Sequence, residues 1–599
     1  MLTLTELRDA EYVISSVALG VDEYYAGIGE APGVWAGRFA PALGLEGVVD
    51  AEDLRALVDG HHPRTGVDLL AGRRKRKVHV FDATFSPPKS VSTLWGLGSP
   101  ETAAVVSRAH TEALVTALSF LEDQAAVARQ QTKGVRRRVP TAGFAVAGFF
   151  HRTSREGDPQ LHTHCLIANL VRRPDGTHVA FDGNPLHDWA KAAGTVYQAE
   201  LQRLLTQELG VAWGPDRNNT REMVGIDRKV LRAFSKRSVA IEAELEAQGA
   251  VYESPAARMR ADDAASLATR PAKDHSLTPA LLVERWRDEA RELGIDSAAS
   301  LEAAVGGRPG PAPLSAEQVT AALLDPEEGL CARSARFTEA QVVAQVAALS
   351  AGRWTTAEIA ALAGDFIASE HVVRLVPADQ GRRRPPEWST VAHRTLEDAV
   401  LARLGELAAR PCPALDPEAV EAAIEAEGRL GADQAGAVRA LCGPGTGLRS
   451  VVAPAGFGKT TTVHAAAAAC TAAGRPVLGV ATTNQAVAGL RSVGLEAATI
   501  ARLRLDLEHR PLAPGTVVVL DEVSQVCTRD AACVADAVAA TPEASLWCLG
   551  DPRQAPAVGA GGLGAEVARL GAEGAIVAPA LSTNRRQRHA GERAALDEL

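Results

Sequence analysis

The sequence predicts a mixed α/β chain in three parts: an N-terminal α+β domain over residues 1–305, a mostly helical segment over 315–428, and a parallel α/β domain over 430–599. Three observations predict this. Helical and strand patterns alternate through the first 300 residues. The cluster Gly306-Gly307-Arg308-Pro309-Gly310-Pro311 then breaks the chain, and a second boundary falls near Pro411–Pro413. From about residue 430 the order becomes strand, glycine turn, helix, strand, as in a parallel sheet with crossover helices.

In the first part, Val78–Phe85 reads as a strand and Leu114–Arg129 as an amphipathic helix. Residues 142–150 and 164–171 read as two further strands. The densest chemistry lies at His151 and in Asp158-Pro159-Gln160-Leu161-His162-Thr163-His164. Two residues apart in a strand, His162 and His164 share one face. Ser154, Gly157 and Pro159 mark a turn, and folding back antiparallel across it brings His151 beside the other two. Three neutral imidazoles from adjacent strands make an open metal site, with positions left for water or a phosphate oxygen. Zinc, manganese, nickel and loosely held magnesium all fit such donors. Asp158 is placed either to orient a ligand histidine or as an ordinary turn aspartate.

The net charge of −10 argues against bulk coating of nucleic acid. Two basic runs, Arg73–Lys77 and Lys133 with Arg136–Arg138, instead favour local phosphate contacts. The eight cysteines form no CxxC pair and no export signal precedes them, so reduced thiols in a cytoplasm are expected. No apolar run approaches the ~20 residues of a membrane helix, and no membrane insertion is expected.

The stretch "HRTSREGDPQLHTH" (151–164) resembles the metal motif of MobF-class conjugative relaxases of the TrwC/TraI type. Other blocks agree: "GEAPGVWAG" (29–37), "LGLEGVVD" (43–50), "FDATFSPPKSVS" (81–92), "GTVYQAEL" (194–201) and "FSKRS" (234–238). The resemblance implies an antiparallel-sheet relaxase domain in which a tyrosine attacks one strand of plasmid DNA at an origin of transfer. The product is a 5′-phosphotyrosyl link and a free 3′-hydroxyl. A tyrosine hydroxyl with pKa near ~10 needs a base. Asp82, a carboxylate in an otherwise apolar strand, is the candidate. The family usually carries two N-terminal tyrosine pairs. This chain keeps Tyr24-Tyr25 but reduces the first pair to Tyr12, the first choice of nucleophile, with Tyr24 or Tyr25 in reserve. Implied partners are single-stranded origin DNA, relaxosome accessory proteins and a type IV coupling protein.

In the third part, the apolar strand Leu448–Val452 runs into Ala453-Pro454-Ala455-Gly456-Phe457-Gly458-Lys459-Thr460 and then a helix, the context a phosphate-binding loop requires. Lys459 would reach the β/γ-phosphates of ATP and Thr460 would hold Mg²⁺. A second apolar strand ends in Asp521-Glu522, placing Asp521 for Mg²⁺ and Glu522 for the attacking water. The surroundings resemble a superfamily 1 helicase of the RecD/TraI type, which implies a RecA-like fold. "ADQAGAV" supplies Gln434 as adenine reader, and "ATTNQA" (481–486) resembles a strand-contacting motif. "GDPRQAPAVGAGG" (550–562) supplies Gln554 as γ-phosphate sensor, and "NRRQ" (584–587) supplies Arg586. No motif of a second motor domain occurs before Leu599, so nucleotide binding without processive unwinding is expected. The alternative is a non-cleaving origin-binding protein fused to a nucleotide-binding ATPase domain. The segment 315–428 reads as a helical connector or as the part that precedes the motor in related relaxases.

Overall fold

An antiparallel sheet organises the first half of the chain. The computed structural model describes residues 1–8, 32–72, 76–132, 135–154, 156–217, 220–247, 261, 264–265, 279–376, 385–454, 456–551, 554 and 556–584. It divides into two compact units. One comprises Met1–Leu323, Thr338–Ser369 and Val376–Glu387; the other comprises Leu324–Phe337, Glu370–Leu375 and Trp388–Leu599. The segment 315–428 is thus shared between them.

The elements of the first unit used below are β1 (Leu2–Leu7), β2 (Val34–Ala36), α1 (Ala51–Asp59), β3 (Val80–Phe85), α2 (Lys89–Leu97), α3 (Pro100–Ala125), β4 (Val127–Thr132), β5 (Val135–Pro140), β6 (Val146–Thr153), β7 (Pro159–Ala168), α4 (Gly183–Leu209), α5 (Lys236–Ala247) and α6 (Pro279–Glu292). The central sheet has the order β1-β3-β7-β6-β2, with each neighbouring pair antiparallel. Helix α3 begins earlier than its periodicity suggests because Ser99 accepts the Thr102 N–H at 3.2 Å and Pro100 fills the first turn. It ends at Ala125. Residues 127–129, expected as helix, instead pair in the β4–β5 ribbon, where cross-strand bonding outweighs helical periodicity.

Side chains alternate across the sheet. On the back, Phe81 meets Phe181 and Phe85 meets Tyr197 of α4. On the front, the second half of β7 (Leu166, Ala168) packs with Val80, Trp35 and Phe149 against Leu54 and Leu57 of α1. The first half of β7, which carries the histidines, lies outside that cluster.

One member of each basic run has partners within the fold. Arg76 turns inward to the carbonyls of Val58 and Asn169, at 2.6 and 3.1 Å. Arg138 holds the buried Asp182 at 2.9 Å together with Arg129. These guanidiniums brace backbone and carboxylate, which leaves Arg137 as an exposed member of its run. Arg73–Lys75 and Lys133 lie outside the described residues.

The second unit contains α7 (Ala432–Cys442), β8 (Leu448–Val452), α8 (Lys459–Ala472), β9 (Val477–Ala481), β10 (Ala497–Thr499), β11 (Val517–Leu520) and β12 (Ser545–Gly550). Its sheet has the order β8-β12-β11-β9-β10 and every pairing is parallel. The expected boundary at Pro411–Pro413 falls inside this unit, since Pro411–Cys412 pairs with Gly445–Thr446. Arg449, 1% exposed in β8, binds the carbonyls of Ala440, Leu441, Gly443 and Thr446. It thereby closes the C-terminal end of α7, whose last carbonyls have no helical partner. Replacing Arg449 by Met keeps the apolar stem and removes these bonds. The second unit is expected to lose about 3 kcal/mol, read as a lowered midpoint in chemical denaturation; an unchanged midpoint would contradict this role.

Candidate metal centre and nucleotide site

Strand pairing builds the histidine face. In the β6–β7 ladder His151 stands directly opposite His162 and Phe149 opposite His164, with an irregularity between His151 and Thr153. The three imidazoles form a near-equilateral triangle, with ring centroids 5.1, 5.1 and 5.3 Å apart. One ligand atom from each lies within 4.8 Å of the others. Modest side-chain adjustment brings all three onto one ion.

Neighbouring groups fix the tautomers. His164 Nδ1–H donates to Asp82 Oδ2 at 2.8 Å. Thr84 lies directly opposite His164; its hydroxyl donates to Asp82 Oδ1 at 3.1 Å and sits 3.0 Å from His164 Nδ1. His162 Nδ1–H donates to the Gln160 carbonyl at 3.0 Å. Both arrangements leave Nε2 with its lone pair for a cation. Burial pushes the His162 imidazole down to about 4, so it is neutral at pH 7. The donor set therefore fits a first-row divalent ion.

The geometry gives Asp82 an orienting contact on a candidate ligand, in addition to the role of base expected for it. Asp158 is engaged by Lys236. Fully buried, it accepts the Lys236 N–H at 2.8 Å and pairs with Lys236 Nζ at 3.2 Å. It so holds the start of α5, which places the "FSKRS" block at the hairpin turn. Glu289 of α6 binds the same ammonium at 2.7 Å, and Trp286 Nε1 donates to the Gly157 carbonyl at 2.7 Å. Lys89 closes the other side, with Nζ 2.8 Å from the Pro159 carbonyl and 3.2 Å from Gln160 Oε1. Burial lowers its ammonium to about 8. Thr84 carried a signal in the sequence, since the i, i+2 spacing puts it on the face of Asp82. The clamp by Lys236, Trp286 and Glu289 carried none, because only the tertiary fold brings them to the turn.

Tyr12, Tyr24 and Tyr25 lie outside the described residues. The chain leaves the sheet at Leu7 on one edge strand and re-enters at Val34 on the other. Alternating antiparallel pairings make these two edge strands run in the same direction. At the re-entry, Gly33 lies against Phe149: a Cβ there would come within 2.5 Å of Cε1.

In the second unit, three parallel strand ends bring the nucleotide motifs together. β8 leads into the glycine loop, β11 into Asp521-Glu522 and β12 toward Gln554. Gly456 and Gly458 have φ of 88° and 85°, conformations that favour glycine, whereas Ala453 needs no positive φ. Lys459 opens α8, followed by Thr460, and Lys459 Nζ stands 3.6 Å from Glu522 Oε1. Lys459 Nζ, Glu522 Oε2 and Ser524 Oγ are buried without a hydrogen-bond partner among the described residues. Orphaned polar atoms of both signs at a glycine loop suit a magnesium–triphosphate. Burial, then the charge of Glu522, raises the Asp521 carboxyl. Gln434 is 1% exposed; its Oε1 accepts the Gly431 N–H and its Nε2 donates to the Gly458 carbonyl. Arg586 lies outside the described residues.

If Asp82 orients His164, then Asp82→Asn, which loses the charge on Nδ1–H, should weaken metal binding by about 10–100-fold. Calorimetry with Mn²⁺ or Zn²⁺ reads this directly; a base without a structural role in the centre leaves the affinity unchanged.

Residues 7–293 match the TrwC relaxase family and residues 429–599 match an AAA domain. The multifunctional conjugation protein TraI of Escherichia coli is 32% identical over 347 residues, covering 54% of this chain and 18% of TraI. The conjugal transfer protein TraA of Rhizobium radiobacter is 31% identical over 203 residues, covering 33% of this chain and 18% of TraA. The chain's matches thus span about a fifth of the length of these relatives. A metal-bound structure of conjugative relaxase TrwC with oriT DNA aligns at 31% identity over 49% of this chain and 99% of that one, with a TM-score of 0.44. Through residues 7–293 the chain belongs to the TrwC relaxase family, homologous to the TraI and TraA conjugation proteins, and it continues into a helicase-like AAA domain.

Proposed function

We propose that the chain is a conjugative relaxase, a metal-dependent tyrosine transesterase that nicks and rejoins one strand of plasmid DNA at an origin of transfer. The observation that carries this reading is the three-histidine face, with His164 held by Asp82, inside the residues that match TrwC relaxase.

The tyrosine oxygen bonds to the scissile phosphorus as the bond to the 3′ oxygen breaks. The tyrosine's proton goes to a base and the departing 3′ oxygen takes one up. One phosphodiester replaces another, so the strand can be rejoined by reversal. A bound divalent ion supplies Lewis-acid stabilisation of charge on the phosphate oxygens. His151, His162 and His164 hold it, and Asp82 with Thr84 fixes the His164 ring. Tyr12 is the first candidate nucleophile, with Tyr24 and Tyr25 in reserve and Asp82 as candidate base.

The second unit is read as an ATP site. Lys459 faces the β/γ-phosphates, Thr460 and Asp521 serve Mg²⁺, Glu522 activates water, and Gln554 with Arg586 senses the γ-phosphate. Single-stranded origin DNA, accessory proteins of the relaxosome and a type IV coupling protein are the partners such an enzyme meets in the cytoplasm.

Single-stranded oligonucleotides tiling the adjacent transfer region test the reading. The expected product is a protein–DNA adduct that resists denaturant, disappears with chelator and is lost in Tyr12→Phe. An adduct that survives in Tyr12→Phe moves the nucleophile to Tyr24 or Tyr25. Specific binding with no adduct from the wild-type chain would overturn the transferase in favour of an origin-binding protein.

A further inference from the structure

We propose that His110 is a positioning residue of the histidine centre, which it holds from behind the sheet through Thr163. This deepens the relaxase reading and rests on that centre taking a divalent ion.

Thr163 lies between His162 and His164 in β7, so its side chain leaves the strand on the opposite face. The neighbours of Thr163 on that face, Leu161, Cys165 and Ile167, are buried and carry no hydroxyl. Core packing there would be met by valine, which has the shape of threonine without its oxygen. The oxygen is used. His110 Nε2 stands 2.8 Å from Thr163 Oγ1, and His110 Nδ1 stands 2.7 Å from the Tyr197 hydroxyl. His110 comes from α3 and Tyr197 from α4, and both are 0% exposed. The phenol is the stronger acid of the two hydroxyls, so Tyr197 donates to Nδ1 and Nε2–H donates to Thr163.

Two helices thereby grip the strand at the residue between two of the three imidazoles. The grip extends sideways. Phe85 of β3 and Phe150 of β6 are the cross-strand neighbours of Thr163. Phe85 meets the Tyr197 ring at 5.5 Å and Phe150 meets the His110 ring at 5.6 Å. Rotation of β7 about its own axis would carry Thr163 off His110 and swing His162 and His164 together on the front. Holding Thr163 therefore holds the angle at which those two imidazoles converge. Burial keeps His110 neutral, so the bridge adds no positive charge behind a site for a cation.

Titration of the full chain with Co²⁺, followed by its visible absorption, tests this. His110→Phe keeps the ring contacts and strips both hydrogen bonds. Thr163→Val strips one with little change of shape. Each should weaken Co²⁺ binding by about tenfold and alter the absorption band. Thr163→Ser keeps the oxygen and should retain the wild-type affinity and band. Thermal melts in chelator read the contribution to stability separately. Wild-type affinity and band in Thr163→Val, whatever its melting temperature, would reduce the pair to a core brace and overturn the positioning role. Equal losses in Thr163→Ser and Thr163→Val would overturn it too, because the oxygen would then not be what aims the strand. A wild-type chain that binds no Co²⁺ defeats the metal reading of the histidine face itself, a result distinct from both.

Discussion

The antiparallel ladder between β6 and β7 is the constraint on which the candidate metal centre depends. It sets His151 against His162 and leaves His164 one pleat further along the same face. Side chains in a strand repeat every two residues, so a slip of one residue would send a partner imidazole to the helix-covered side. The register is held from both faces. Behind the sheet, the buried His110 bonds Thr163, which lies between His162 and His164, at 2.8 Å and Tyr197 at 2.7 Å. Burial lowers the His110 imidazole to about 3, so it serves there as a neutral hydrogen-bonding bridge. In front, α1 and its loop cover the far half of β6 and β7.

The two candidate sites are made by opposite means. The histidine face is assembled from side chains on paired strands, with His162 and His164 aimed by hydrogen bonds to their neighbours. The nucleotide site is assembled from backbone at strand ends, where two left-handed glycines turn the loop and buried polar atoms have no hydrogen-bond partner among the described residues. Side-chain substitution is therefore the sharper probe of the first, and changes in loop conformation are the sharper probe of the second.

Much of this was legible in the sequence because the informative spacings are local. An HxH pair, a turn and a third histidine report a hairpin, and an apolar run before a glycine loop reports a parallel strand. Strand β8 falls at Leu448–Val452, where the pattern placed it. Three features were not legible. The length of α3 was hidden because its cap at Ser99 precedes the amphipathic stretch. The inward turns of Arg76 and Arg138 were hidden because charge runs say nothing of their partners. The clamp on the hairpin turn was hidden because residues 158, 236 and 289 are brought together only by the completed fold.

That clamp bears on the order of events during synthesis. The histidine hairpin is complete as sequence at His164, yet its turn is held by Lys236, Trp286 and Glu289. A ribosome adds the intervening stretch in on the order of ten seconds. For that interval a nascent chain owns all three imidazoles without the structure that fastens their hairpin, so the histidine triangle belongs to the finished domain more than to the emerging one.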